Sequence, residues 1–382
     1  MDNQMTIFAD CLAAVCTHSL VAPGRSLSWA IIANPKAGGF TIAKRWKQHL
    51  ADLDKARSRS LANPAREDAS PARILGTLVP PDSEAASLAA RGLIATTGPG
   101  HAAELANALA EGLEARCEAA SAMAKPLPFL VIITAGGDGT SLEVLSSFYH
   151  APQALREHFA ILRLPMGTGN DGADAPTLAG ALALLAGPAR VMRQRALRLL
   201  TSTAGKGPFL AFNILSVGLD AFVTHMTNKM KGRLPGDSYK LWVDIASLLY
   251  DRLYKVGPMD VKVRPADGKA PDELRQKVLL LAVGESGHRT YGSHKKILPD
   301  DRNVCLVRQM PLLRKVRLKG LFTTGEHVRT PECLFFNASR VEFTGSFPIL
   351  AQMDGETVLL DPADFPAAIE LTPPVIPILK KA

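Results

Sequence analysis

The chain has 382 residues, 47% of them hydrophobic and 21% charged, a balance that excludes a disordered polymer and leaves room for two domains with separate cores. Its formal net charge of +8 favours anionic partners such as nucleotides, nucleic acid or acidic membrane surfaces, without choosing among them. Five cysteines (Cys11, Cys16, Cys117, Cys305, Cys333) are scattered and form no Cys-x-x-Cys pair. This argues against a disulfide framework or a structural zinc site and for a reducing compartment.

Met5–Val21 is moderately apolar but interrupted by Asp10 and His18, and only Asp2 precedes it as a charge. It reads as an extra N-terminal helix, with a cleaved signal as the alternative. No stretch reaches the ~18 apolar residues of a membrane span. Ser28–Asn34 reads as a buried strand ending in the turn Pro35-Lys36-Ala37-Gly38-Gly39, and Ile42–Leu53 has helical spacing with Trp46 and Leu50 on one face. Asp54–Ser70 reads as a solvated helix end and loop, Ile74–Leu78 and Gly92–Thr97 as strands, and His101–Ala120 as a helix. Pro128–Thr134 (PFLVIIT) is the strongest buried-strand signal, followed by a glycine turn and a helix over Ser141–Tyr149. Phe159–Pro165, a second glycine turn and the helix Thr177–Leu185 complete an alternation that means a parallel, doubly wound sheet. Beyond about Arg190 the runs become short and β-like: Phe209–Val217, Met259–Val263, Lys277–Val283, Val304–Arg308, Cys333–Phe336 and Arg340–Thr344, with a helix over Ser238–Leu253. They predict a second, mainly antiparallel β domain.

Five segments could carry chemistry. Gly136-Gly137-Asp138-Gly139-Thr140 sits between strand and helix. Its glycines let a phosphate approach without Cβ clashes, and the helix start offers free N–H groups. Asp138 inside that turn would repel a phosphate unless it organises a magnesium ion, whereas the plain alternative is a capped turn. Gly167-Thr168-Gly169-Asn170-Asp171-Gly172 repeats the strand–turn–helix context and also fits G-x-G-x-x-G. A dinucleotide site would want an acid about 20 residues on, and Arg190–Leu200 contains arginines and no acid. Asn34-Pro35-Lys36-Ala37-Gly38-Gly39 is a phosphate loop or a plain turn, and Thr97 opens a helix at Gly98-Pro99-Gly100. Met353-Asp354-Gly355-Glu356 reads as a hairpin turn that could also present a carboxylate. No Walker-type G-x-x-x-x-G-K-[ST] occurs, which weighs against P-loop chemistry.

In this order, NPxAGG at 34–39, GGDGT at 136–140, GTGND at 167–171 and DGE at 354–356 resemble the diacylglycerol kinase catalytic-domain family, which includes bacterial lipid kinases, ceramide kinases and sphingosine kinases. TGPGHAAEL at 97–105 and NILSVGLDAFV at 213–223 are similar as well, so the resemblance runs from about residue 28 to the C-terminus. GGDGT is shared with NAD kinases, whereas GTGND and the late DGE favour the lipid-kinase branch. The resemblance implies an α/β N-terminal domain (28–188, after an extension 1–27) and a C-terminal all-β sandwich (189–382), with the last segment free to return to the first domain. It implies ATP and magnesium in a cleft between them. Asn34, Pro35, Lys36, Ala37, Gly38, Thr97, Gly136, Gly137, Asp138, Gly139, Thr140, Glu143, Gly167, Thr168 and Asn170 would contact the nucleotide. Asp138 and Asp171 would organise the metal, and Glu356, or else Asp354, would deprotonate the acceptor hydroxyl.

The chain departs from the family pattern at several positions. GTGND continues with Gly172 and Asp174 in place of a bulky residue and an arginine. Gln194-Arg195-Ala196-Leu197 lacks the aspartate of an "IDL"-like strand. Arg302 stands in Pro299-Asp300-Asp301-Arg302-Asn303 where glycine is usual, so no second, structural magnesium is predicted. The leading expectation is an ATP-dependent lipid kinase acting on diacylglycerol, cytoplasmic with a peripheral seat on the inner membrane face. Another NAD kinase-like or sphingoid/ceramide-type kinase, and a nucleotide-binding regulator without catalysis, are the alternatives. A dinucleotide oxidoreductase ranks last. The segment Arg308–Lys319, where Arg314, Lys315, Arg317 and Lys319 mix with Leu312, Leu313, Val316 and Leu318, would meet an anionic membrane surface if it is exposed, and would otherwise be an ordinary solvated helix or loop. A lipid substrate and no nucleic acid are expected as partners, with a homodimer left open.

Overall fold

The computed structural model describes residues 2–230, 250, 256–292 and 295–382. The helix expected over Ser238–Leu253 falls, Tyr250 aside, outside them. The chain forms two compact units, Met1–Gln194 with Pro374–Ala382, and Arg195–Pro373.

In the first unit, α1 (Asp2–Thr17) places Phe8, Leu12 and Val15 at helical spacing, all fully buried, and Phe8 meets Phe40 edge-on at 5.1 Å. The sheet is built on β1 (Ser26–Ala33). β2 (Ser70–Pro71) and β3 (Leu93–Ala95) lie along one edge of β1, and β4 (Pro128–Gly136), then β5 (Phe159–Pro165), extend the sheet from the other, all parallel. Every residue of β4 and β5 is buried, as the unbroken apolar runs require of strands covered on both faces. Odd-numbered residues of β4 (Phe129, Val131, Ile133) join the core that α1, α3 (Ala43–Ser60) and α7 (Leu178–Ala186) cover. Phe159 turns to the opposite face and packs on Phe148 of α6 (Asp138–Tyr149), 4.6 Å between rings. Three further helices, α2 (Gly38–Thr41), α4 (Glu84–Ala89) and α5 (His101–Ala122), complete the unit. The chain moves outward from β1 to β3 and then crosses to β4, so the loops after β1 and β4 part at the carboxyl edge of the sheet, where open α/β sheets bind ligands.

Three expectations are corrected. Ile74–Leu78 is not a strand: Arg73–Thr77 is a 3-10 turn with only Leu75 buried, and the edge of β1 is occupied by β2 and β3. Helix α6 begins at Asp138 rather than Ser141, so the aspartate lies in its first turn. Strand β6 (Ala189–Gln194) belongs with the first unit, which moves the boundary from residue 188 to 194.

The second unit is antiparallel throughout. Its strands are β7 (Leu197–Leu200), β8 (Phe209–Ala211), β9 (Ile214–Gly218), β10 (Pro258–Pro265), β11 (Asp272–Gly284), β12 (Arg289–Tyr291), β13 (Lys295–Leu298), β14 (Val304–Arg308), β15 (Cys333–Phe336), β16 (Ala338–Thr344), β17 (Ile349–Met353), β18 (Glu356–Leu360) and β19 (Ala367–Leu371). The long β11 is shared: its first half pairs with β10, and its second with β9 and β14. Leu199, Val261, Val341 and Ile369 from one sheet meet Val217, Leu281, Leu306 and Ala351 from the other in one core, as in a sandwich. The far face of the second sheet is covered by α8 (Leu219–Met230) and α9 (Leu312–Thr324), through Ala221, Phe222 and Leu318. No helix was assigned to the α8 segment, and a solvated helix or loop was one of the two readings of the α9 segment; as packed helices they explain why VLLLAV in β11 is apolar without alternation. The predicted strand Phe209–Val217 is two strands, interrupted at Phe212 and Asn213.

The last strand, β20 (Ile376–Lys381), returns to the first unit. It lies between β5, to which it is parallel, and β6, to which it is antiparallel, so that sheet is mixed. The fold class expected from the sequence, an α/β domain followed by an all-β sandwich, is the one observed.

Candidate active site

In the first unit the motif loops converge at the carboxyl ends of parallel strands. Asn34 follows β1, and its Oδ1 accepts from the Lys36 N–H at 3.0 Å, closing the loop on itself. Gly39 donates to the Met166 carbonyl at 2.7 Å, tying the loop after β1 to the loop after β5. A Cβ at Gly39 would stand 2.8 Å from that carbonyl oxygen, so only glycine permits the approach. Gly167 crosses Gly137 equally closely: a Cβ there would lie 2.5 Å from the Gly137 Cα. Arg45 donates to the Gly167 carbonyl at 2.9 Å, and the Asn34 amide reaches the Thr140 hydroxyl at 3.5 Å. A Cβ at Gly38 would be 3.3 Å from the Thr168 hydroxyl. Asn34, Gly38, Gly137, Thr140, Gly167 and Thr168 therefore form one cluster, with Lys36 exposed at its margin.

Asp138 and Asp171 bracket Gly169. A Cβ at that glycine would be 3.2 Å from an Asp138 carboxylate oxygen and 3.4 Å from one of Asp171. Asp138 also accepts from the Gly172 N–H at 3.2 Å. Burial, reinforced by the Asp171 charge, pushes the Asp138 carboxyl up to about 6, against the pull of the Gly172 amide and the Arg163 charge. Two carboxylates held this close in a half-buried turn are a donor set that magnesium, which keeps several waters and takes one or two carboxylates plus phosphates, can satisfy. Among the described residues no group of three or more His, Cys, Asp or Glu side chains is placed around a metal position.

Behind this pair lies a charge cluster that the sequence reading missed. Arg163, in the middle of apolar β5, is buried and pairs with the buried Asp174 at 2.7 Å. Its guanidinium also donates to Gln194 Oε1 at 2.9 Å. Asp174 further accepts from the Arg163 N–H at 2.8 Å and the Lys380 ammonium at 3.0 Å, while its own N–H donates to the Arg163 carbonyl at 3.1 Å. Burial alone would raise the Asp174 carboxyl, but Arg163 and Lys380 hold it below the ordinary carboxylate value. The acid at 174 is thus the anchor of the 167–174 loop. Gln194, in the stretch that lacks the "IDL" aspartate, is occupied as the partner of Arg163. A lone arginine in FAILRLP was the available signal.

Glu143, expected at the nucleotide, has its two oxygens accepting from the N–H groups of Gly100, Ala102 and Ala103 at 2.9, 3.1 and 3.3 Å, so it caps α5. Thr97 is exposed, its N–H and hydroxyl directed to His101 Nδ1 at 3.1 and 3.2 Å.

In the second unit Asp354 and Gly355 form the turn between β17 and β18, both with positive φ (+46° and +105°), as two-residue hairpins prefer. Asp354 is buried. Its carboxylate accepts from the N–H groups of Phe212, Asn213 and Ile214, filling the break between β8 and β9. Glu356, the first residue of β18, is exposed. The turn itself is caged. Gln352 accepts from the Gly355 N–H at 3.1 Å and donates to the Ser216 hydroxyl at 2.9 Å and to Asp220 at 3.4 Å, while Asn228 donates to the Gly355 carbonyl at 2.8 Å. Asp220 lies in the matching fragment NILSVGLDAFV. Burial raises its carboxyl, opposed by the Ser216 hydroxyl, the Lys295 charge and Gln352. In the 299–303 segment the Arg302 guanidinium closes on the Asp300 carboxylate, which it holds below its ordinary value, and stands over the Phe335 ring at 4.8 Å.

Two family descriptions match the chain: the diacylglycerol kinase catalytic domain over residues 87–195, and the YegS C-terminal NAD kinase beta sandwich-like domain over residues 213–380. No curated protein matches it. Two solved structures from Bacillus anthracis str. Sterne, each named a "putative diacylglycerol kinase", share the fold. One has 14% identity and a TM-score of 0.54, covering 93% of this chain and 97% of its own. The other has 15% identity and a TM-score of 0.52, covering 94% and 98%. Successive matches to a diacylglycerol kinase catalytic domain and to a NAD kinase-like β sandwich domain support a place for the chain in the diacylglycerol kinase-like family.

Proposed function

We propose that this protein transfers the γ-phosphate of ATP to a lipid hydroxyl, with diacylglycerol as the acceptor, in the cytoplasm at the inner membrane face. The observation that carries the reading is the Asp138–Asp171 pair, held by crossing glycine loops at the carboxyl edge of a parallel sheet. The amides of the 136–140 and 167–170 turns, with Asn34, Lys36, Gly38 and Thr168, hold the phosphates. Asp138 and Asp171 are the residues that would hold magnesium, which when bound would supply positive charge to the phosphate oxygens.

Glu356 takes the proton from the acceptor hydroxyl as that oxygen bonds to phosphorus and ADP leaves. Between the two acids of the turn, chemistry favours Glu356: the Asp354 oxygens are engaged by three backbone amides, whereas Glu356 is exposed on a turn caged by Gln352 and Asn228. Radiolabel transfer from ATP to a panel of diacylglycerol, ceramide, sphingoid base and NAD tests the reading. Labelled phosphatidic acid is expected, and label on NAD alone would remove the lipid acceptor.

A second reading is supported by Gln194, which stands as the partner of Arg163 in the stretch without the "IDL" acid. In this reading the protein binds the nucleotide and regulates without turnover. Tight ATP binding with no labelled product across the panel would select it.

A further inference from the structure

Helix α9 buries one side and exposes the other. Lys315 and Leu318 face inward, with Leu318, Leu321 and Phe322 packed on the second-unit core. Leu312, Leu313 and Val316 are 45%, 85% and 51% exposed and, at 3.6 residues per turn, share the outward side with Arg317 and Gly320. A single exposed leucine needs no explanation, but three large apolar side chains within two turns make a patch. The charge around it is predominantly positive. The helix carries Arg314, Lys315, Arg317 and Lys319 and no acid, and from Arg308 to Arg329 there are six basic residues against Glu326. Arg308 is tied to Gln276 at 2.6 Å and Arg314 to Glu332, while Arg317 is exposed.

We propose that the first two turns of α9 seat the protein on an anionic bilayer, Leu312, Leu313 and Val316 entering the boundary between headgroups and acyl chains and Arg317 meeting lipid phosphates. Apolar tips framed by cations, with no acid on the helix, complement a surface that is uniformly negative and apolar beneath. The inference rests on the lipid-kinase reading only in that the acceptor is then membrane-borne.

The test is co-sedimentation of the full chain with vesicles of phosphatidylglycerol and phosphatidylcholine, against phosphatidylcholine alone. Binding to the anionic vesicles, weakened by salt, is expected. Leu313→Asp should lower the partition coefficient about tenfold or more, and Arg317→Glu should lower it and flatten the salt dependence. Unchanged circular dichroism and Tm verify that both variants fold. Equal binding to neutral and anionic vesicles, or wild-type partition by Leu313→Asp, overturns the proposal. So does a dimer that Leu313→Asp dissociates while no vesicle binding is seen, because the face would then belong to a second copy. Phosphorylation of a short-chain, water-soluble diacylglycerol, measured without vesicles, reports the kinase reading separately.

Discussion

Asp138 holds a carboxyl where a proton binds more readily than in water. Its folded-state value of about 6 exceeds the ordinary 3.8, so the folded protein takes up the proton first. The metal-free fold therefore loses stability as pH rises between those values, by roughly 3 kcal/mol once both are passed. Asp138→Asn, which keeps an acceptor for the Gly172 amide, is expected to raise the metal-free Tm at pH 7.5 and to abolish transfer. Magnesium should stabilise the wild type and not the variant; calorimetry with and without the metal reads both. The two acids of the hairpin separate in the same manner. Glu356→Gln is expected to lower kcat about 10²–10⁴-fold with ATP affinity unchanged. Asp354→Ala leaves three backbone amides without an acceptor and should instead cost at least about 3 kcal/mol of stability, read in a denaturant titration.

At the scale of elements, the glycine turns were legible because they sit between buried strands and helices, and both strand–turn–helix contexts are present. What β5 does to its loop was not. Arg163 and Asp174 are 11 residues apart, and only the turn back over the strand brings them together. Arg163→Met leaves the Asp174 charge buried with Lys380 as its remaining cation and is expected to cost about 3–5 kcal/mol. The cap made by Glu143 was hidden for a related reason: a glutamate one turn into α6 reads as part of the GGDGT site, whereas the packing of α5 against α6 presents three helix-start amides to it. Glu143→Leu should lower stability by about 1–2 kcal/mol and leave the ATP dissociation constant near wild type. A large loss of ATP affinity at unchanged stability would return Glu143 to the nucleotide.

At the scale of the molecule, the C-terminal strand completes the first unit. β20 lies between β5 and β6 and brings Lys380 to Asp174. Deleting residues 376–382 is expected to abolish ATP binding and expose the first unit to limited proteolysis, while the second unit keeps its protected fragment.

The alternation of strands and helices, the change to short strands near residue 190 and the ordered motifs are properties of neighbours in sequence, and they were enough for the fold class and the family. Helices α8 and α9, the anchor at Asp174, the cap at Glu143 and the backbone amides that hold Asp354 depend on partners 11 to 206 residues away. Burial and hydrogen-bond satisfaction act between segments that only the folded chain brings into contact, so the tertiary structure alone decided them.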